Sequence, residues 1–399
     1  MRVLLINVVC GIRSTGRICT DLAEALEARG HEVKIAYGRE NVPEKFRKFS
    51  FRTENDFGVK FSALRARFTD NAGFSNREAT IQLVEKIREF DPDVIHLHVL
   101  HGYWLNIEIL FDYLRGCGKK IIWTFHDCWA FTGHCAYFDY VACDRWMNGC
   151  FSCPDKRAYP TSVFADCSKK NYLKKRALFT GIPDMHIITP SKWLADYVRT
   201  SFLKEYPVKV IHNGIDTDVF CRNENTLRAA GELKKRYRLE TKKLVIAVST
   251  SWDRRKGLQE YFKLADQLGE DYQVAVIGLS EEQAASVPEN VLGIQRTDSV
   301  LELAGFYVLA HAYVNASLEE NYPTTNLEAI SCGTPVIAYQ TGGSGESAEL
   351  FGTVVPRGNI SALSEAVRNA EALVPAMAPE DIKKLFSFRK MTEEYLKLY

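Results

Sequence analysis

Short apolar runs alternate with segments of helical periodicity along this chain, and they do so in two separate series. Residues 3–8 form an apolar run, residues 18–26 carry apolar side chains at helical spacing, Gly30 reads as a helix stop, and residues 33–37 form the next run. The pattern continues with a helix at 81–90 and strands at 94–97, 121–125 and 185–189. A second series opens with a strand at 244–249, passes through a helix at 257–268 into a strand at 274–277, and continues with strands at 312–314 and 336–338. Strands that are each followed by a helix return to the sheet in parallel, so an α/β chain with two doubly wound sheets is expected. The length of 399 residues suits two such domains. The polar stretch 213–241 opens on the turn signal Asn213-Gly214, which sets the expected domains at 1–213 and 214–385, with a last helix over 386–399 returning to the first.

Composition narrows the class. Apolar residues at 46% and charged residues at 25% exclude disordered and fibrous chains. The net charge of +1 hides an asymmetry: 31 Lys plus Arg against 24 Asp plus Glu up to Asn213, and 20 against 26 after it. The basic first part suits an acidic partner such as a phosphate-bearing acceptor or an anionic membrane face, and no nucleic acid is expected. No charged leader with an apolar core is visible, and the weakly polar stretch 301–314 is broken by Glu302 and His311, short of the ~20 residues a membrane span requires. A cytoplasmic chain is expected, with peripheral contact on the inner face of the cell membrane as an option.

Chemistry concentrates in Glu319-Glu320-Asn321-Tyr322-Pro323-Thr324-Thr325-Asn326-Leu327-Glu328, followed by Cys332-Gly333-Thr334-Pro335-Val336. Pro323 fits the first turn of a helix, which puts Glu320 in the preceding loop and Glu328 inside the helix, with backbone N–H groups between them able to face a phosphate. An isolated pair of glutamates would read as solvated carboxylates. This context resembles glycosyltransferase family 4, whose members carry a Glu-x7-Glu motif closed by a Cys-Gly-x-Pro-Val strand, and the resemblance covers nearly the whole chain. It implies a GT-B architecture, two Rossmann-like domains facing across a cleft. It also implies a nucleotide-sugar donor, a glycan or lipid-linked acceptor, and transfer with retention of the donor's configuration, as in surface polysaccharide biosynthesis. By the resemblance Glu320 contacts the donor sugar and Glu328 the ribose hydroxyls, with Asn321, Tyr322 and Thr324 also on the donor side.

Other segments take roles from the same resemblance. Lys256, in Arg254-Arg255-Lys256-Gly257, corresponds to the family's diphosphate-binding lysine. The family's companion arginine lies about a turn earlier; Thr250-Ser251-Trp252 stands there, and Arg254 and Arg255 are the candidates to replace it. The glycine loop Gly11 to Gly16 is neither a triphosphate P-loop nor a dinucleotide fingerprint; the resemblance implies that Gly16 approaches the donor phosphate. His126 follows a strand and is implied to contact the donor sugar, while His98 and His101 are taken to line the acceptor side. Gly343 and Glu346 match the family's donor-side loop. The catalytic set is therefore His126, Arg255, Lys256 and Glu320, with no cofactor required.

Two features lie outside that set. Cys135, Cys143, Cys150 and Cys153 form Cys-x7-Cys-x6-Cys-x2-Cys, which reads either as a structural zinc site or as buried reduced thiols. Lys60, Phe61, Leu64, Arg65, Arg67 and Phe68 predict an amphipathic basic helix, with a second basic run at 169–176, either a solvated face or an interfacial surface. The rival functions are a non-catalytic glycosyltransferase-like partner subunit and a Rossmann oxidoreductase, the latter disfavoured by the missing glycine fingerprint.

Overall fold

The computed structural model describes residues 1–399, which divide into two compact units, Met1–Ile211 with Thr392–Tyr399, and His212–Met391. The expected boundaries at 213 and 386 differ from these by a few residues. His212, Asn213 and Gly214 stay with the second unit because Asn213 Nδ2 donates to Tyr322 O at 2.9 Å and Gly214 lies against the backbone of Phe388. Residues 387–391 stay with it because Phe388 N donates to Ile215 O at 2.9 Å.

The first unit contains β1 (Arg2–Asn7), β2 (Glu32–Tyr37), β3 (Ser50–Arg52), β4 (Val94–Leu97), β5 (Lys120–Thr124), β6 (Met185–Thr189) and β7 (Val208–Val210). They form one parallel sheet in the order β3-β2-β1-β4-β5-β6-β7. The second contains β8 (Lys243–Val248), β9 (Tyr272–Ile277), β10 (Val291–Ile294), β11 (Ala312–Asn315), β12 (Val336–Tyr339) and β13 (Gly352–Val355), parallel in the order β10-β9-β8-β11-β12-β13. The order reverses direction between β1 and β4 in one sheet and between β8 and β11 in the other. These are the points where loops diverge to leave a crevice beyond the carboxyl ends of the strands.

The strands missing from the sequence reading are β3, β7, β10 and β13, and all four are sheet edges. An edge strand is covered on fewer sides, so its residues are only partly buried and need no continuous apolar run. The central strands β1, β4, β5, β8, β11 and β12 are buried almost throughout, which is why their apolar runs stand out in the sequence. Each sheet is covered by helices on its faces, with one core cluster in the first unit and two in the second.

Candidate functional site

In the second unit, the loops that follow β8 and β11 meet at the switch point. After β8 the chain makes the tight turn Arg254–Lys256, capped by the Asp253 side chain, which accepts from Lys256 N at 3.2 Å. Gly257 ends that turn at φ +65, and a Cβ there would lie 2.6 Å from Ala316 O, so only glycine lets the turn pass under the β11 loop. Leu318 N donates to Arg255 O at 2.7 Å, and Arg255 Nη1 donates to Glu319 O at 3.1 Å. These contacts carry the basic turn onto the loop before the helix Thr324–Ser331.

Charge gathers where they meet. The Lys256 ammonium pairs directly with Glu320 Oε2, and Arg255 Nη1 stands 3.7 Å from Oε1, which also accepts from Asn321 N at 3.0 Å. Burial works to raise the Glu320 carboxyl, but Lys256 and Arg255 outweigh it and hold the group below the ordinary carboxylate range. The Lys256 ammonium is pulled below its ordinary value by burial, with Glu320 opposing. Two cations against one carboxylate leave the cluster with a formal charge of +1. Arg254, on the same turn, is exposed.

The helix Thr324–Ser331 begins one residue later than expected: Pro323 is its N-cap, with ψ 127, because the chain is still extended there. Glu328 lies inside the helix and is buried, its Oε2 accepting from the Tyr307 hydroxyl at 2.9 Å. Asn326 Nδ2 reaches Ser344 O and Ser347 Oγ, each at 3.1 Å, which ties the helix to the short helix Ser344–Ala348 at the end of the loop after β12. Gly342 in that loop has φ +52, and a Cβ would stand 1.7 Å from Glu320 O. Gly343, Asn321 and Tyr322 are all buried beside this contact, while Thr324 is partly exposed. Tyr322 stacks on His212 with ring centroids 4.5 Å apart. Next to the basic turn, a pocket of about 670 Å³ opens at the carboxyl ends of β8, β9 and β10, lined by Trp252, Asp253, Gly278, Gln283, Arg296 and their neighbours.

In the first unit, histidines collect at the ends of β4 and β5. His98 Nδ1 lies 3.1 Å from His126 Nε2, and His96 bonds to Thr124 Oγ1 at 2.8 Å and to the Tyr399 hydroxyl at 2.6 Å. Burial lowers His96 to about 3 and His126 to about 4, and places His98 well below its ordinary value, so these imidazoles are neutral near pH 7. His98 Nε2 is buried without a hydrogen-bond partner. His101 bridges Asp127 Oδ2 at 2.8 Å and the Tyr159 hydroxyl at 3.0 Å. Asp127 is held below the carboxylate range, His101 outweighing burial.

Residues 15–219 match the family described as Glycosyltransferase Family 4, and residues 230–377 match Glycosyl transferases group 1. The chain belongs to glycosyltransferase family 4. This glycosyltransferase is 27% identical over 335 residues to WcaC of Escherichia coli K12, a glycosyl transferase assigned to colanic acid biosynthesis, covering 78% of this chain and 77% of that one. Its fold is GT-B, as in sucrose-phosphate synthase tll1590 from Thermosynechococcus elongatus, with TM-score 0.72, 19% identity and coverage of 100% and 98%. Anabaena HepE (Alr3699) in complex with UDP-glucose aligns with TM-score 0.66 and 13% identity over 100% and 98% of the two chains.

The glycosyltransferase thus brings Arg255, Lys256 and Glu320 into one cluster, and of the two candidate arginines it is Arg255 that faces the glutamate. His98 and His126, read from sequence as acceptor-side and donor-side, are hydrogen-bonded to each other and form one group. Gly16 lies in the first turn of the helix Arg13–Glu27, buried, where a Cβ would be 3.1 Å from Gly11 N. Close packing of the glycine loop onto the helix is what requires glycine at that position. The 670 Å³ pocket was missed by sequence reasoning; Gly278, at φ +96 just after β9 and packed on Ser249 O, is the local signal that could have marked it. Tyr307 was missed because only the packed helices bring it to Glu328.

The four cysteines of the glycosyltransferase do line one cavity, with Phe138 and Trp146, and all are free thiols. Burial pushes Cys150 up to about 11 and Cys153 to about 12, and Cys135 well above the ordinary thiol value. Gly133 N donates to Cys150 Sγ at 3.2 Å. No group of three or more His, Cys, Asp or Glu side chains is arranged so as to hold a metal ion.

Proposed function

We propose that this glycosyltransferase moves a sugar from a nucleoside diphosphate donor to a glycan or lipid-linked acceptor, with retention, in surface polysaccharide biosynthesis. The observation that carries the reading is the Arg255–Lys256–Glu320 cluster at the β8/β11 switch point, adjoining a pocket large enough for a nucleoside. The base and ribose occupy that pocket and the approach to Glu328, and the diphosphate lies against Lys256 and Arg255. The UDP-glucose bound by HepE and the colanic acid assignment of WcaC support the donor class and the biosynthetic setting.

On this reading the bond between the sugar C1 and the diphosphate oxygen breaks, and its electron pair leaves with the diphosphate. The acceptor hydroxyl oxygen bonds to C1 on the same face, and its proton passes to the departing phosphate oxygen. Lys256 and Arg255 stabilise the charge that grows on the leaving group, which is where preorganised cations lower the barrier most. Glu320 holds Lys256 in place and reaches the donor sugar. In the first unit the neutral His98–His126 pair leaves His98 Nε2 as a hydrogen-bonding nitrogen that adds no charge. The catalytic step needs no metal, and the cytoplasm is the compartment where nucleotide sugars meet such an enzyme.

The test is a panel of nucleotide sugars scored by thermal stabilisation of the purified chain, since a ligand that binds only the folded state raises apparent stability by mass action. The stabilising donor is then used in a transfer assay with the product's anomeric configuration read by NMR. Stabilisation by a nicotinamide cofactor alone would replace the reading with an oxidoreductase. Donor binding without transfer to any glycan or lipid-linked acceptor would favour a non-catalytic partner subunit.

A further inference from the structure

The helix Asp56–Thr69 turns its large apolar side chains outward. Phe57, Phe61, Leu64 and Phe68 are 79%, 59%, 51% and 53% exposed, while the inward face consists of the small or short residues Val59, Ser62 and Ala66. The sequence leaves two readings open, a solvated helix face and an interfacial surface, and the structure keeps the phenylalanines outside. At 100° per residue the four exposed positions fall within an arc of about 60°, a continuous stripe along the helix. The rings of Phe57 and Phe61 stack with centroids 6.4 Å apart, and Phe68 stacks on Phe164, itself 67% exposed, at 5.1 Å. Val163 N donates to Arg67 O at 2.7 Å and fixes that second segment beside the helix.

The charges beside the stripe are mostly basic. Lys60 and Arg67 lie on one flank and Arg65 on the other, all exposed. Lys156 joins them, its ammonium bonded to Phe164 O at 2.9 Å. The one acidic residue on the helix, Asp56, is paired with Arg52. A stripe of four large apolar side chains in water is a standing cost, and contiguous exposed apolar surface of this kind marks an interaction site. Two copies of this chain meeting through the stripe would set its cations against their own counterparts, because a two-fold contact is self-facing. An anionic surface meets both the apolar stripe and its basic borders. A 14-residue helix is about 21 Å long, too short to cross a bilayer but able to lie in its interface, and no helix of the chain is long and apolar enough to span one.

We propose that the outward face of the helix Asp56–Thr69 docks on an anionic lipid bilayer, with Phe57, Phe61, Leu64 and Phe68 entering the headgroup boundary and Lys60, Arg65 and Arg67 held at the phosphate level. The docking stands apart from the catalytic reading, because it needs neither donor nor acceptor.

The experiment is co-sedimentation of the full chain with vesicles of phosphatidylcholine alone and of phosphatidylcholine mixed with phosphatidylglycerol. Binding is expected on the mixed vesicles, weak on the neutral ones, and reduced by added salt. The double variant Phe57→Ser, Phe61→Ser is expected to lose at least about tenfold in vesicle affinity, and Lys60→Glu with Arg67→Glu roughly fivefold for each cation removed on the mixed vesicles only. Since the substituted side chains are exposed, the unfolding temperature should not move; Leu64→Ser serves as a second apolar variant if one of the others fails to fold. Equal binding to both vesicle types, or binding unchanged by the phenylalanine variants, overturns the proposal. A parent chain that sediments as a dimer, with the phenylalanine variants monomeric, also overturns it and assigns the stripe to a second copy.

Discussion

Replacing Lys256 by methionine removes the cation closest to Glu320 and keeps most of the side-chain volume. Glu320 is 7% exposed, and it would then face the interior with only Arg255, 3.7 Å away, to balance it. Breaking a buried ion pair from one side costs about 3–5 kcal/mol, because the remaining charge is left uncompensated. The retained arginine and the partial exposure of Lys256 bring the expected loss below that range, to about 2–3 kcal/mol. For a unit of this size each kcal/mol lowers Tm by about 2–4 °C, so the unfolding of the C-terminal unit should shift down by about 4–12 °C in calorimetry at pH 7.5. The sign with pH follows from the Glu320 carboxyl, which the parent holds below its ordinary value. Such a group contributes stability that is present above its unfolded pKa and is lost as pH falls through the folded one. In the variant, burial is no longer outweighed in the same way and the carboxyl takes up its proton at higher pH. The gap between parent and variant should therefore be widest near neutrality and close as pH drops below about 4. Adding Glu320→Gln to Lys256→Met should recover part of the loss, since both charges are then gone. An unshifted Tm at pH 7.5, or a gap of constant size from pH 7.5 to 4, would refute the argument that this pair is what balances the cluster.

Glu328→Gln is expected to weaken nucleotide binding by about tenfold while preserving the Tyr307 contact, whereas Glu328→Ala should also lower stability by about 1–3 kcal/mol through the orphaned Tyr307 hydroxyl; unchanged nucleotide affinity by calorimetry in both would remove Glu328 from the donor site. His96 and His98 are depressed well below the ordinary imidazole value, so the stability they contribute is complete above pH 6.5 and is lost as pH falls below it. With His126, which burial also lowers, to about 4, three such groups predict a loss of about 4 kcal/mol in the N-terminal unit by pH 5.5, and a flat stability profile from pH 7.5 to 5.5 would contradict their neutral burial. If Cys135, Cys143, Cys150 and Cys153, which line one cavity, close on an ion, protein purified under reducing conditions should hold about one zinc per chain, lost with local unfolding on chelation, and metal analysis that finds none would leave the buried-thiol reading.

The catalytic reading is also sensitive to Gly342. At φ +52, with Glu320 O in the way of any Cβ, Gly342→Ala should displace the loop after β12 and lower donor affinity, and an alanine variant with parental affinity would mean that this loop does not shape the site.

What the sequence by itself determined was what short-range periodicity can carry. Apolar runs located the central strands because those strands are buried on both faces. The Glu-x7-Glu spacing put Glu320 before a helix and Glu328 within it because the helix start is set by Pro323 and its immediate neighbours. The helix expected over 257–268 was located to within one residue, starting at Leu258 because Gly257 takes a left-handed backbone conformation next to Ala316. The edge strands β3, β7, β10 and β13 escaped because partial exposure erases the apolar run. The pairings that make the site were decided only by tertiary structure. Lys256 meets Glu320 because β8 lies next to β11, across 64 residues of chain, and the choice of Arg255 over Arg254 rests on which way that turn faces the β11 loop. Tyr307 meets Glu328, and His98 meets His126, for the same reason: strand order and helix packing bring them together, and neither is written in local spacing. The helix Asp56–Thr69 shows the limit most directly. Its periodicity announced a helix with an apolar side, but which side faces the interior depended on what the neighbouring elements leave room for, and they accept Val59, Ser62 and Ala66 and leave the phenylalanines outside.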